Sequence, residues 1–399
     1  MRILVVGAGL AGMTCAYELA RQGHDVCVLE RLASVASGAS FAPEGLMSAA
    51  WVAARPHPEL QAWSHWLSHP RWMWLQRQAQ RKWAADSALL QLAQLGSARA
   101  AELQAAMKLE FEERHGMLLI WRDERTWLQD KALVQNLEQQ GWAAPLLSPE
   151  ACRALQPGLG EALPLHGGVL LPQERTGNTR QFVQGLRQAA LQLGVRLMLR
   201  TEVTAIKPGL EPAVEVTTPE GAQTLRTDAV VVCAGQDSPT LLQSLGLHAP
   251  WLPLASTTLT VPLRQLEAHP ELGPQGTVVD MLSRTVVTRL GQRIRVGGGN
   301  APTPEASART LQATLDTLFP GAQQPGSLQA WSTQRPTLPG GRPWIGNSGL
   351  PGVWLNTGHT EHGWLQTLGA ASVLADLLAQ RPSTIELQSF SPAAWSQPH

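Results

Sequence analysis

The sequence predicts an α/β protein: a domain of parallel strands assembled from separated segments, with an inserted α+β domain that carries an antiparallel sheet. Three observations predict it. Short runs of parallel-strand type with apolar centres stand at 2–6, 25–30 and 229–235, the last of them apolar throughout. Helical patterns separate the first two and recur at 86–107, 128–141, 179–193, 305–319 and 364–379. Between the run at 229–235 and a further strand at 353–356, the segments 254–262, 277–281, 284–289 and 293–297 alternate and are divided by turns.

The opening is the most informative stretch. Residues 2–6 read as a buried strand, 10–22 as a helix and 25–30 as a second strand. Gly7-Ala8-Gly9-Leu10-Ala11-Gly12 lies at the first strand-to-helix turn. Gly7 permits the turn, Gly9 lets the backbone approach a diphosphate, and Gly12 lets helix and strand pack closely. The helix N-terminus then offers free N–H groups and the positive end of its dipole. Glu30 closes the second strand, 18 residues past Gly12. Its carboxylate accepts from ribose hydroxyls and repels a 2′-phosphate, which disfavours NADP. This is a Rossmann-like dinucleotide site. The small, polar loop Ser37–Ser48 that follows suits a cofactor larger than NAD, meeting its pyrophosphate or ring system with amides and hydroxyls.

Further along, residues 117–121 read as a strand, 145–172 as loops rich in Gly and Pro, 195–199 as a strand, and 214–217 with 224–226 as a hairpin. From Arg335 the chain reads as a Pro/Gly-rich turn, then a strand at 353–356 and a turn at 357–363. Trp51, Trp63, Trp66, Trp72, Trp74 and Trp83 crowd one stretch with His57. Interior packing is favoured there over a role in a pocket or in membrane contact.

Composition narrows the class. Lys+Arg and Asp+Glu are both 31 in 399 residues, so no global field favours nucleic acid. The cysteines, at 15, 27, 152 and 233, have neither zinc-ligand nor paired disulfide spacing and point to a reducing compartment. No metal site is expected. No apolar run reaches the roughly 18 residues of a membrane span, and the apolar start is read as the glycine turn, not a signal peptide.

Four segments together resemble the D-amino acid oxidase/glycine oxidase family of flavoproteins. They are Val5–Gly12 through Val28–Arg31, Ala39–Gly45, Arg335-Pro-Thr-Leu-Pro-Gly-Gly-Arg-Pro-Trp-Ile-Gly346, and Leu355-Asn-Thr-Gly-His-Thr-Glu-His-Gly-Trp364. Weaker likeness fills Leu170–Gly177 and Ala229–Gly235, in the right order over nearly the whole chain. The two C-terminal segments are specific to that family, whereas the glycine motif is widely shared. The branch nearest in pattern is the bacterial, dehydrogenase-type one.

The resemblance implies an FAD domain formed by 1–80, 165–245 and 332–399, and a substrate or cap domain formed by 81–164 and 246–331. It implies that Gly7, Ala8, Gly9, Leu10, Ala11, Gly12, Glu30 and Arg31 hold the ADP half. Ser40 lies near the flavin, the Val203 backbone meets the adenine, and Gly235 passes the cofactor. Gly358, His359, Gly363 and Trp364 face the pyrimidine end, where the last helix's dipole stabilises negative charge. Arg335 binds the substrate carboxylate, as a guanidinium fork suits. His359 either reaches the flavin or braces its turn, and His362 is read as a turn or surface residue.

Two departures matter. Relatives with covalent flavin carry a histidine near residue 40, but this chain has Ala39-Ser40-Phe41, so the FAD is expected to be noncovalent. The tyrosine clamp of the eukaryotic oxidases is excluded, because Tyr17 in the first helix is the sole tyrosine.

The expected reaction is oxidative deamination of a D-amino acid to a 2-oxo acid and ammonia, by hydride transfer from Cα to flavin N5, in amino acid catabolism. Electrons pass to a quinone, to O₂ or to another acceptor. The alternatives are a glycine/sarcosine-type oxidase using O₂ and a non-catalytic dinucleotide-binding module. The expected location is cytoplasmic, with peripheral contact to the inner face of the cell membrane as a further option.

Overall fold

Two sheets meeting along one cavity organise the chain. The computed structural model describes residues 1–54, 69–83, 87–265, 271–298, 303–360 and 363–395. His57, Trp63, Trp66 and His362 lie outside the described residues.

The six-stranded sheet runs in the order Trp344–Asn347, Val353–Thr357, Ala229–Val232, Arg2–Val6, Asp25–Glu30, Arg196–Leu199. All its pairings are parallel except the first, which is antiparallel. Strands at its centre are wholly apolar because helices cover the sheet: Val230, Val231 and Val232 are fully buried, as is Val5. Helix Leu10–Arg21 packs against Thr179–Gln192 and Gly363–Leu378. A three-stranded antiparallel meander, Glu202–Lys207, Ala213–Thr218 and Gly221–Arg226, stands apart from both main sheets.

The nine-stranded sheet contains Leu46–Met47, Arg114–Trp121, Leu146–Leu147, Gly167–Thr176, Leu252–Pro262, Thr277–Asp280, Thr285–Leu290, Arg293–Gly298 and Gln329–Thr337. The expected antiparallel run is its middle. Helix Pro304–Leu318 covers it, capped by Thr303, whose hydroxyl accepts from the Ala306 N–H.

Three readings are corrected. Residues 145–172 are not simply loops: they hold Leu146–Leu147, helix Pro149–Leu155 and most of strand Gly167–Thr176. The helix starts by local chemistry, with Ser148 as cap and Pro149 in the first turn. Arg335 itself lies in a strand, and the Pro/Gly-rich turn expected there follows it at Pro339–Gly341. Gln329–Thr337 is the sheet's edge, where Pro336 opposite Pro253 removes no ladder bond that an inner neighbour needs. The strand at 117–121 begins earlier, at Arg114.

Two placements cross the segment boundaries expected above. Gly167–Thr176 pairs in the nine-stranded sheet, and helix Ala88–Met107 packs on Gly363–Leu378 in the core beneath the six-stranded sheet. Buried Glu18, 1% exposed, ties that helix down through Arg99 at 2.6 and 3.0 Å. Removing Arg99 would leave that buried charge with only the 3.3 Å contact to the half-exposed Arg21.

Of the described tryptophans in the crowded stretch, Trp51, Trp72 and Trp83 are buried and Trp74 is exposed. None of the four lines the cavity described next. The packing reading therefore fits Trp51, Trp72 and Trp83, whereas Trp74 is neither packed inside nor in the cavity.

Candidate active site

The parallel strands are in register so that their carboxyl ends finish together. Val6 pairs with Leu29 and Val232, and Val232 with Leu355. The residues just beyond those ends are Gly7, Glu30, Cys233–Gly235 and Thr357–His359, and all line one cavity of about 540 Å³. Ligands bind at that edge of open α/β sheets.

The glycine turn is built for close approach. Gly7 has φ +101°, and a Cβ there would lie 2.6 Å from the Cys233 carbonyl oxygen. A Cβ on Gly12 would lie 1.7 Å from the Gly7 carbonyl oxygen, so the helix start leans directly on the turn. Gly9 caps helix Leu10–Arg21 without any side chain of its own. The Ser40 hydroxyl accepts from the Leu10 N–H at 3.0 Å, which brings the second loop onto the helix start. Glu30 accepts from the Ala8 N–H at 2.7 Å and the Leu32 N–H at 2.8 Å. Each carboxylate oxygen keeps a second acceptor position, and the residue lines the cavity.

Most of the expected residues meet here. Gly7, Gly9, Leu10, Ala11, Glu30, Arg31, Ser40, Val203, Gly235, Arg335, Gly358, His359, Gly363 and Trp364 all line this cavity. Ala8 and Gly12 do not; they shape it from behind, through the Glu30 bond and the helix contact. Arg31 is held by Asp237 at 3.1 Å.

At the other wall, Arg335 enters from the edge strand Gln329–Thr337 of the nine-stranded sheet, and its side chain is 12% exposed. Its Nη2 donates to Glu44 Oε2 at 3.0 Å. Glu44 was passed over in the sequence, where Pro-Glu-Gly looks like any turn. Asn356 was also missed: its Oδ1 lies 2.6 Å from His359 Nε2, and its amide donates to Cys15. The four cysteines are free and buried, with the sulfurs of Cys15 and Cys233 3.9 Å apart.

His359 keeps some exposure to the cavity, but its Nδ1 is closed to solvent and has no partner among the described residues. Burial pulls its imidazole down to about 3, so the neutral ring donates Nε2–H to Asn356 and offers Nδ1 as an acceptor. An unfolded histidine titrates near 6.5, so the unfolded chain alone binds this proton between about pH 6.5 and 3. The stability from a neutral His359 is complete above that window and is lost as the pH falls through it. His359→Gln should therefore lose less stability than the parent between pH 7 and 5, by up to about 2 kcal/mol in urea unfolding. Parallel pH profiles would refute the assignment.

The arrangement fits a flavin dinucleotide. It has a glycine turn at a helix N-terminus opening on the cavity, where side chains on Gly7 or Gly12 would collide with backbone, and an acidic strand end. The buried polar atoms Thr179 Oγ1, His359 Nδ1 and Thr360 Oγ1 belong to cavity-lining residues and have no hydrogen-bond partner among the described residues. Among the described residues no cluster of metal ligands is found.

Such a fold and site define a flavin-dependent oxidoreductase. Residues 2–377 match the model of the FAD dependent oxidoreductase family, DAO, and the chain belongs to that family. It is 33% identical over 422 residues to a D-amino acid dehydrogenase of Cereibacter sphaeroides, spanning 97% of this chain and 93% of that protein. It is 31% identical to a D-amino acid dehydrogenase of Rhizobium rhizogenes, over 99% and 100% of the two chains. In fold it is similar to glycine oxidase from Geobacillus kaustophilus, with a TM-score of 0.77, 20% identity and coverage of 100% and 99%. The chain is thus an FAD-dependent enzyme with the expected two-sheet flavoprotein fold, which sets aside the non-catalytic alternative.

Proposed function

We propose that the enzyme oxidatively deaminates a D-amino acid to a 2-oxo acid and ammonia. The observation that carries this is Arg335: a largely buried guanidinium in the same cavity as the diphosphate cradle, brought there from the other sheet. Guanidinium donors match a carboxylate, and anchoring the carboxylate limits where Cα can sit. The names of the relatives support the amino acid and its D configuration.

In this reading Gly7, Gly9, Leu10 and Ala11 hold the diphosphate and Glu30 the ribose, with Val203 beside the adenine. Ser40, Gly358, His359, Gly363 and Trp364 surround the ring, whose attachment is noncovalent. A bound oxidised flavin would supply the acceptor for the hydride of Cα, and the α-ammonium must first release a proton to solvent so that the nitrogen lone pair can form the C=N bond. Arg335 fixes the carboxylate so that the Cα–H faces the ring. The Gly363–Leu378 helix directs the positive end of its dipole toward the cavity. His359, neutral, adds no charge there. Water then hydrolyses the released imino acid.

The electron acceptor is a quinone or a related carrier. The reaction is placed in the cytoplasm, peripheral to the inner membrane face where a quinone serves. The four thiols, none of them in a disulfide, support that reading. Among the described residues no helix is long and apolar enough to cross a membrane.

Steady-state assays with D-alanine, L-alanine, glycine and sarcosine, each with a quinone analogue or O₂ as acceptor, test the proposal. The expected result is pyruvate and ammonia from D-alanine with the quinone analogue and little peroxide. Preference for glycine or sarcosine with stoichiometric peroxide would replace this reading with the oxidase one.

A further inference from the structure

Beside Arg335 the cavity wall carries a buried negative charge that carboxylate binding alone does not need. Glu44 lines the cavity and its side chain is 13% exposed. It is built in from several sides. Its Oε2 accepts from Arg335 at 3.0 Å and its Oε1 from the Ser256 hydroxyl at 3.3 Å. Its side chain lies against Gly297, where an added Cβ would come 2.6 Å from Glu44 Cγ. The residue before it, Pro43, is pinned through its carbonyl by Arg295 Nη1 at 2.9 Å, and Arg295 Nε donates to Thr260 at 2.9 Å. Burial opposes ionisation of Glu44, but Arg335 and the surrounding hydrogen bonds outweigh it and hold the carboxyl below its ordinary range. The site therefore presents a fixed positive and a fixed negative group about one hydrogen bond apart.

We propose that Glu44 is a specificity residue that receives the substrate's α-ammonium while Arg335 receives its carboxylate, so that the pair selects amino acids over 2-hydroxy and simple carboxylic acids. The inference rests on the deamination reading above. An amino acid carries its two charges on neighbouring atoms of one carbon, which matches the Glu44–Arg335 dipole. A monoanion gains Arg335 but meets Glu44 unscreened, and that repulsion selects against it. With bonds from Arg335, Ser256 and a backbone N–H, Glu44 still has one of a carboxylate's roughly four acceptor positions to offer.

The test compares Glu44→Gln with the parent holoenzyme, using D-alanine and propionate as probes. Glutamine keeps the size of the side chain and an acceptor for Arg335. The Kd for D-alanine, from the concentration dependence of anaerobic flavin reduction, should rise roughly tenfold or more. The Kd for propionate, from its perturbation of the flavin spectrum, should fall roughly threefold or more, because Arg335 is no longer neutralised. Glu44→Asp should restore part of the preference for D-alanine. Joint weakening of both ligands would make Glu44 a mere brace for Arg335 and overturn the proposal, as would no change in either. If D-alanine binds but leaves the parent's flavin oxidised, deamination fails by itself. The same two Kd ratios, both then read from spectral perturbation, still decide Glu44. Absence of D-alanine binding overturns both.

Discussion

Arg335→Ala should lower kcat/KM for D-alanine by roughly 10²-fold or more, mostly through KM, while the purified protein stays yellow. The substitution removes the carboxylate's charged donors and also strands Glu44, buried and without its 3.0 Å partner. Arg335→Lys separates those effects: it keeps a cation for Glu44 but loses the planar fork. It should recover part of the loss, leaving a deficit of roughly tenfold. Steady-state kinetics with FAD content measured on the same samples checks this. An unchanged KM in the alanine variant would remove Arg335 from substrate binding. Loss of FAD would instead make its role structural.

The second large effect belongs to the glycine turn. Gly12→Ala places a methyl 1.7 Å from the Gly7 carbonyl oxygen, a backbone atom that cannot swing aside. Either the helix start lifts off the strand or the turn opens, and both displace the N–H groups that face the diphosphate. Repacking at a tight backbone contact costs about 3 kcal/mol. The variant should purify without FAD and unfold at lower urea than the parent. A yellow protein of parental stability would contradict the turn geometry.

What the sequence revealed, and what it hid, follows from the range of the interactions involved. The nucleotide edge was legible because its signals are local: apolar strands at 2–6 and 25–30, glycines at fixed spacing, and Glu30 at a strand end. The role of Arg335 was legible through resemblance, but its setting was not. Gln-Ala-Trp-Ser-Thr-Gln-Arg-Pro-Thr has no clean alternation and contains a proline, which argues against a strand when only the sequence is read. Gly167–Thr176 was obscured in the same way by Pro172. Glu44 gained meaning only when folding brought it to a partner 291 residues away. Asn356 and His359 sit three apart, yet only the turn after Val353–Thr357 shows which ring nitrogen faces the amide.

Anaerobic addition of D-alanine to the purified holoenzyme tests most directly whether one cavity joins the flavin to an amino acid held by Arg335. The flavin absorbance should bleach completely, with one pyruvate formed per flavin, and L-alanine should leave the spectrum oxidised over the same interval. A flavin that stays oxidised under a full panel of D-amino acids would contradict the account.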